Sequence, residues 1–101
     1  MPDRFRYLVM YDIREPGRLR RIHDVAVDFG ERLQYSVYVC DLTRQELVTL
    51  RKQLRSTMNQ RDDSISIFDL GPLEHRHKIK AEHLGRRSPA HEDRPNDAAI
   101  W

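Results

Sequence analysis

Residues 5–13 read Phe-Arg-Tyr-Leu-Val-Met-Tyr-Asp-Ile, and this stretch decides which fold the 101-residue chain can adopt. It is rich in aromatic and β-favouring residues, and it is apolar on both sides. One side carries Tyr7, Val9 and Tyr11, and the other carries Leu8 and Met10. A strand of this kind belongs inside a sheet, so the sequence predicts a central strand in a single domain of modest core size.

Asp12 stands at the end of this strand, on the side shared with Leu8 and Met10. A carboxylate in this position is costly unless it is hydrogen-bonded, charge-paired or metal-bound. The residues alone leave two interpretations open: Asp12 starts the turn or pairs with Arg14, or it binds a metal ion. One carboxylate binds Mg²⁺ poorly, whereas a twofold dimer would supply Asp12 twice. A divalent cation between two such carboxylates would relieve their repulsion and activate water toward a phosphodiester.

Helical and strand patterns alternate along the rest of the chain. Apolar residues recur at helical spacing after Pro16 and Gly17, and Gly30 stands where a left-handed C-terminal cap belongs. Residues 32–42 have a β pattern, as one bent strand or two short ones.

A second helix is predicted from a capping box that Thr43 and Glu46 form, and it extends to about Met58. Residues 64–70 then alternate as a further strand, and a weaker strand signal follows at about 78–84.

This order of elements predicts an α+β, ferredoxin-like βαββαβ fold, in which two helices cover one face of an antiparallel sheet. Residues 1–85 would form the domain, including an extra C-terminal strand at about 78–84, and residues 86–101 a C-terminal tail. The uncovered face is partly apolar, so a symmetric homodimer is expected.

The composition excludes several classes of protein. One cysteine cannot form an internal disulfide, and no stretch resembles a signal peptide, so we expect a cytoplasmic protein. The longest apolar run, residues 7–11, is far too short to span a membrane, so no membrane partner is expected. The chain also has no nucleophile-elbow, Walker or glycine-rich phosphate motif, which excludes most enzyme classes.

The net charge is only +2, but the basic residues are concentrated in three blocks, at residues 14–21, 44–61 and 75–87. They are either solvated helix faces or parts of one phosphate-binding surface. The first block is the most informative, because cations at a helix N-terminus oppose the helix dipole and favour an anion-binding role. Its candidate nucleic-acid ligands are Arg14, Arg18, Arg20 and Arg21.

The other reactive side chains are more ordinary. Cys40 lies in an apolar strand and is expected in the core. His23 is expected at the edge of the first helix. The remaining candidates for a metal site lack cysteine or carboxylate partners at ligand spacing and are expected to be solvated; they are His75, His77 and His83.

Four segments together resemble the small CRISPR-associated endonuclease family of spacer acquisition, over about residues 5–85. They are residues 7–13 (YLVMYDI), 18–21 (RLRR), 32–40 (RLQYSVYVC, after Gly30) and 66–71 (SIFDLG). The Gln-x-Ser-Val-aromatic run at residues 34–38 is the most specific of these features.

The resemblance implies a ferredoxin-like homodimer in which Asp12 of each subunit faces the twofold axis and binds Mg²⁺. It also implies that Asp12 is the catalytic residue of a nuclease acting on single-stranded RNA or duplex DNA. The strand at 78–84 would cross to the partner subunit. The family also serves as the scaffold of a complex with the CRISPR integrase dimer, which holds the DNA that becomes a new spacer.

Two functions therefore stay open. The first is a metal-dependent endonuclease in which Asp12 holds Mg²⁺ and Ser36 helps to position a phosphate, although Ser36 is equally suited to a structural role. The second is a non-catalytic adaptor of the integrase complex, in which the arginines of the first basic block contact DNA phosphates. Such contacts would be independent of sequence and strongly sensitive to salt.

Overall fold

The computed structural model describes residues 3–73 and 82–86, and residues 4–72 form a four-stranded sheet and two helices. The sheet has the order β2-β3-β1-β4, and every neighbouring pair of strands is antiparallel. This arrangement confirms the predicted α+β, ferredoxin-like fold. The elements are β1 (Arg4–Asp12), α1 (Pro16–Phe29), β2 (Glu31–Gln34), β3 (Val37–Thr43), α2 (Arg44–Thr57) and β4 (Ser64–Pro72).

The core lies between the helices and one face of the sheet. The central strands β1 and β3 contribute Tyr7 and Tyr38, which are both fully buried. The helices cover them with Ile22 from α1 and Leu50 from α2, neither of which is accessible to solvent. Burial of each large apolar side chain stabilises the fold by about 1.5–3 kcal/mol, so this layer supplies most of the driving force.

Gly30 ends α1, but for a reason other than the predicted one. Its backbone is extended, with φ −165° and ψ −168°, so the expectation of a left-handed cap was wrong. A Cβ atom at this position would lie 2.3 Å from the carbonyl oxygen of Val39 and 2.5 Å from Sγ of Cys40. Glycine is therefore needed because β3 passes directly against the backbone at the end of the helix.

Two other local predictions are confirmed. Thr43 and Glu46 form the capping box of α2, with each side chain accepting a hydrogen bond from the other residue's backbone N–H. The β segment after Gly30 is two short strands, β2 and β3, joined by a turn at Tyr35 and Ser36.

The face of the sheet opposite the helices is partly apolar, and neither helix of the described residues covers it. Leu8 of β1 pairs in register with Val39 and with Phe68, and alternation along the strands places all three on this face. Met10 lies beside them, and 40% of its surface is exposed, as is 47% of that of Phe68. Asp12 lies at the end of the same row.

The C-terminal predictions fall mostly outside the described residues. Residues 78–81 of the predicted last strand and residues 87–101 of the predicted tail are among those not described. Within that strand, residues 82–84 are described and have neither helical nor strand structure. Neither helix of the described chain is long and apolar enough to cross a membrane.

Candidate metal and nucleic-acid site

One end of the molecule collects most of the predicted site residues. Strand β1 ends there at Asp12, opposite Ser64 at the start of β4, and α1 begins four residues later. The β2–β3 turn closes against the same end, because the backbone N–H of Tyr11 donates to the carbonyl oxygen of Ser36 at 3.1 Å. The fold therefore brings Asp12, Ser36 and the start of α1 into one neighbourhood.

Asp12 is exposed, and within residues 3–73 and 82–86 its carboxylate has no hydrogen bond or ion pair. The alternative interpretation, a pair with Arg14, is not what the structure contains. The backbone N–H of Arg14 donates instead to Asp63 at 2.9 Å. The Asp12 carboxylate thus reaches solvent from the end of an apolar strand, with its oxygens available to an external ligand.

Asp63, in the loop before β4, is the buried carboxylate of this region. It accepts hydrogen bonds from Arg18 Nε at 2.8 Å and Arg18 Nη2 at 3.1 Å. The backbone N–H groups of Arg14 and Asn59 donate to it as well, at 2.9 and 2.8 Å. The Arg18 guanidinium, followed by these backbone donors, holds the pKa of Asp63 well below its usual range. Asp63 therefore ties the loop to α1.

The four predicted arginine ligands fall into two groups. The side chain of Arg18 is bound to Asp63, so it has a structural role at the start of α1. The other three are Arg14, Arg20 and Arg21, which are exposed and have no ion pair in the described part of the chain. Glu15 caps the helix by accepting from the backbone N–H groups of Gly17 and Arg18, which offsets part of the basic charge there.

A buried tyrosine pair lies on the helix side of this end, behind Asp12. Tyr38 is 0% exposed, and its hydroxyl is 2.5 Å from Nδ1 of His23. The Tyr11 ring stacks on the Tyr38 ring, with the two centroids 6.1 Å apart. Burial is the main reason that the pKa of each tyrosine is raised.

The sequence model of the family described as CRISPR associated protein Cas2 matches residues 5–77. The chain belongs to the Cas2 family. It is 36% identical over 80 residues to the CRISPR-associated endoribonuclease Cas2 of Geobacter sulfurreducens, covering 79% of this chain and 83% of the relative.

A second relative and a solved structure agree with this assignment. The CRISPR-associated endonuclease Cas2 of Halalkalibacterium halodurans is 31% identical over 85 residues, covering 79% of this chain and 85% of the relative. The crystal structure of Streptococcus pyogenes Cas2 superposes with a TM-score of 0.62 at 35% identity, covering 65% of this chain and 86% of that one.

The described residues of this Cas2 chain contain few side chains placed to bind a metal ion together. No three His, Cys, Asp or Glu side chains come together as a possible metal site in the described residues. His83 hydrogen-bonds to the carbonyl oxygen of Arg86, whereas His75 and His77 lie outside the described residues. Cys40 is confirmed as a core residue, because its side chain is fully buried, and this burial raises the pKa of its thiol to about 11.

Part of the second basic block of the Cas2 chain is used for packing. The Arg44 guanidinium lies 4.0 Å from the centroid of the Phe5 ring, and its Nη1 is 3.3 Å from the Tyr7 hydroxyl. The outer face of α2 carries the exposed residues Arg51, Lys52 and Arg55, which have no ion pair among the described residues.

Sequence reasoning missed two features of this Cas2 site. Asp63 follows Asp62 in a polar loop, and nothing in that dipeptide indicates which carboxylate is buried. The hydrogen bond between Tyr38 and His23 was also missed, because aromatic residues in an apolar strand are ordinary core residues. The usable signal was a tyrosine at a predicted core position, since a buried hydroxyl needs a polar partner.

Proposed function

We propose that this chain is a Mg²⁺-dependent endonuclease of CRISPR adaptation, with Asp12 as its metal ligand and catalytic residue. The observation that carries the proposal is the exposed Asp12 carboxylate, which ends an apolar strand without a hydrogen bond or ion pair in the described residues. The relatives are named endoribonuclease and endonuclease, which supports a phosphodiesterase. Single-stranded RNA and duplex DNA are both proposed as substrates.

The donor chemistry at Asp12 fits Mg²⁺. This ion is held through carboxylate oxygens, usually one or two, together with water and substrate phosphates. No group of three possible ligands occurs in the described part of the chain, so a single chain does not supply a complete set of protein ligands around Asp12. When bound, the ion would supply positive charge to the phosphate and lower the pKa of a water molecule.

A homodimer would complete this site. Asp12 lies on the open face of the sheet, in the same row as Leu8 and Met10. A second copy that covered this apolar face around its twofold axis would bring two Asp12 carboxylates together. We expect sedimentation to give about twice the monomer mass of 12.1 kDa. Phe68→Asp, on the same face, should shift the protein to monomer and reduce cleavage, and a monomeric wild-type protein would refute the shared site.

The residues proposed to hold the nucleic acid are Arg14, Arg20 and Arg21, together with Ser36. These guanidinium groups would contact phosphates, so binding would be independent of sequence and would weaken steeply with salt. The Arg18 side chain, which is paired with Asp63, would act by positioning the start of α1.

A cleavage assay tests the catalytic proposal. The wild-type protein is incubated with single-stranded RNA and with duplex DNA, in Mg²⁺ and in EDTA, beside Asp12→Asn and the exposed α1 variant Asp24→Asn. We expect cleavage that needs Mg²⁺, is lost in Asp12→Asn and is retained in Asp24→Asn. Equal cleavage by Asp12→Asn would identify a contaminating nuclease and refute the proposal.

A second candidate function is a non-catalytic DNA-binding adaptor of the CRISPR integrase, favoured by Arg20 and Arg21 of α1, which are exposed and have no ion pair among the described residues. Spacer integration with the integrase dimer distinguishes the two functions. The adaptor requires integration to continue with Asp12→Asn and to fail with the double variant Arg20→Ala/Arg21→Ala. Loss of integration in Asp12→Asn would rule it out. A cytoplasmic location suits either function and stays a prediction.

A further inference from the structure

A cleft opens between the end of β1, the first two turns of α1 and the β2–β3 turn, on the side of the sheet opposite Asp12. Its volume is about 330 Å³, which is within the range of small-molecule sites. Its walls include Tyr11, Leu19, Arg20, His23, Arg32 and Tyr35. None of the described residues that line it is acidic, so the cleft combines positive charge with aromatic surface.

His23 forms one wall of the cleft and is held in place by Tyr38. The Tyr38 hydroxyl lies 2.5 Å from Nδ1 of His23, so this ring nitrogen is engaged with the buried tyrosine. The imidazole has a second ring nitrogen, Nε2, which this contact leaves available to a ligand in the cleft.

The remaining walls supply charge and stacking surface. Arg20 is exposed and has no ion pair in the described chain, and the guanidinium-bearing residue Arg32 also lines the cleft. Tyr35 stands in the β2–β3 turn with 48% of its surface exposed, although its ring lines the cleft. Donors and cations recognise a phosphate, and an exposed tyrosine ring stacks on an unpaired base.

We propose that this cleft binds one unpaired nucleotide, with its phosphate on Arg20, His23 and Arg32 and its base stacked on Tyr35. The nucleotide is either the unpaired end of a nucleic-acid strand or a free nucleoside monophosphate. The strand-end form rests on the nucleic-acid binding proposed above. It adds a site for a single nucleotide on the helix side of the sheet, separate from the metal ligand on the open side.

The test measures the affinity of the full chain for two duplexes, one blunt and one with short thymidine overhangs, in EDTA so that no strand is cut. Calorimetry with thymidine monophosphate tests the free nucleotide in parallel. The variants are Tyr35→Ala, which removes the ring, and Tyr35→Phe, which keeps it. We expect the overhangs to raise affinity about tenfold, and Tyr35→Ala to abolish this gain without changing blunt-duplex binding. Tyr35→Phe should retain the gain.

The outcomes separate this proposal from the proposed function. If the blunt duplex binds but neither the overhangs nor thymidine monophosphate respond to Tyr35→Ala, the cleft proposal is wrong and duplex binding stands. If neither duplex binds but thymidine monophosphate binds and is weakened about tenfold by Tyr35→Ala, nucleic-acid binding fails and the cleft is a free-nucleotide site. A response confined to the overhangs identifies the strand end as the ligand.

Discussion

Asp12 and Asp63 are two aspartates at the same end of the molecule, and the fold treats them in opposite ways. Asp63 is buried and receives four hydrogen bonds, two of them from Arg18. Asp12 is exposed and receives none from the described residues. A carboxylate whose oxygens are all occupied can only hold the fold together, whereas one with open oxygens can bind a ligand from outside.

The difference between these two aspartates arises from the alternation of side chains along a strand. Asp12 pairs in register with Ser64, so the two share the open face of the sheet. Asp63 precedes Ser64 by one position and faces the other way, toward the helix layer and Arg18. Asp63 therefore faces the helix layer and stabilises the fold, whereas Ser64, one residue later, faces the same open side as Asp12.

The largest expected effect comes from removing the charge of Asp12. Asp12→Asn should lower the rate of Mg²⁺-dependent cleavage by at least about 100-fold, because a neutral amide is a poor ligand for Mg²⁺. It should leave the Tm nearly unchanged, since no hydrogen bond of the described residues is lost. Cleavage kinetics and thermal unfolding of the same preparation check both statements. A large fall in Tm would mean that Asp12 is a structural residue like Asp63.

The same substitution at Asp63 should instead lower the thermal stability of the fold. Asp63→Asn should lower the Tm by roughly 5–10 °C, because it leaves Arg18 without its counter-ion and removes an acceptor from two backbone donors. Thermal unfolding by circular dichroism measures the change, with the exposed neighbour Asp62→Asn as the matched control. Equal Tm values for the two variants would show that the ion pair does not hold the loop.

The arginines at the start of α1 should also fall into two groups: those whose loss weakens nucleic-acid binding and one whose loss lowers stability. Arg20→Ala and Arg21→Ala should each weaken duplex binding about threefold and lower its salt slope by about 1, without changing the Tm. Arg18→Ala should lower the Tm as Asp63→Asn does. Fluorescence anisotropy over a range of salt concentrations gives the slopes, and Arg51→Ala on α2 is the control. A change in slope for Arg51→Ala equal to that for Arg21→Ala would contradict a localised surface.

The smallest effect is a pH dependence of the Asp63 pair. The pKa of Asp63 is lower in the folded chain than the value of about 4 for an unfolded aspartate. The pair therefore stabilises the fold fully above about pH 4, and this stabilisation is lost as the pH falls toward the folded pKa. The Tm difference between wild type and Asp63→Asn should be constant from about pH 7 to 5 and shrink below 4. A difference that grew on acidification would reverse the assigned shift.

Most of the fold could be predicted because it depends on patterns among residues that are close together in the sequence. The apolar residues 5–13 determined a central strand, the Thr43 and Glu46 capping box determined the start of α2, and helical spacing placed both helices. Gly30 is an example of a feature that local patterns explain only in part. Its place after α1 is visible in the sequence, but the close approach of Val39 that requires glycine arises only when β3 packs against the helix end.

The candidate site was predictable in part. Asp12 could be selected because a carboxylate on an otherwise apolar strand is unusual, and the arginines because they cluster at a helix start. Arg18 could not be separated from its neighbours, since its partner Asp63 is 45 positions away along the chain. The cleft around Tyr35 was equally hidden, because its walls come from three elements.

The sequence by itself determined the order of the elements, the two-sided apolar strand and the position of Asp12 at its end, since these depend on neighbouring residues and short repeats. Only the tertiary structure decided which of the two aspartates is buried, which arginine at the start of α1 is paired, and that Tyr38 and His23 meet. The physical reason is that hydrogen bonds and ion pairs act over a few ångströms in space. Contacts between distant parts of a chain are settled only when the elements pack.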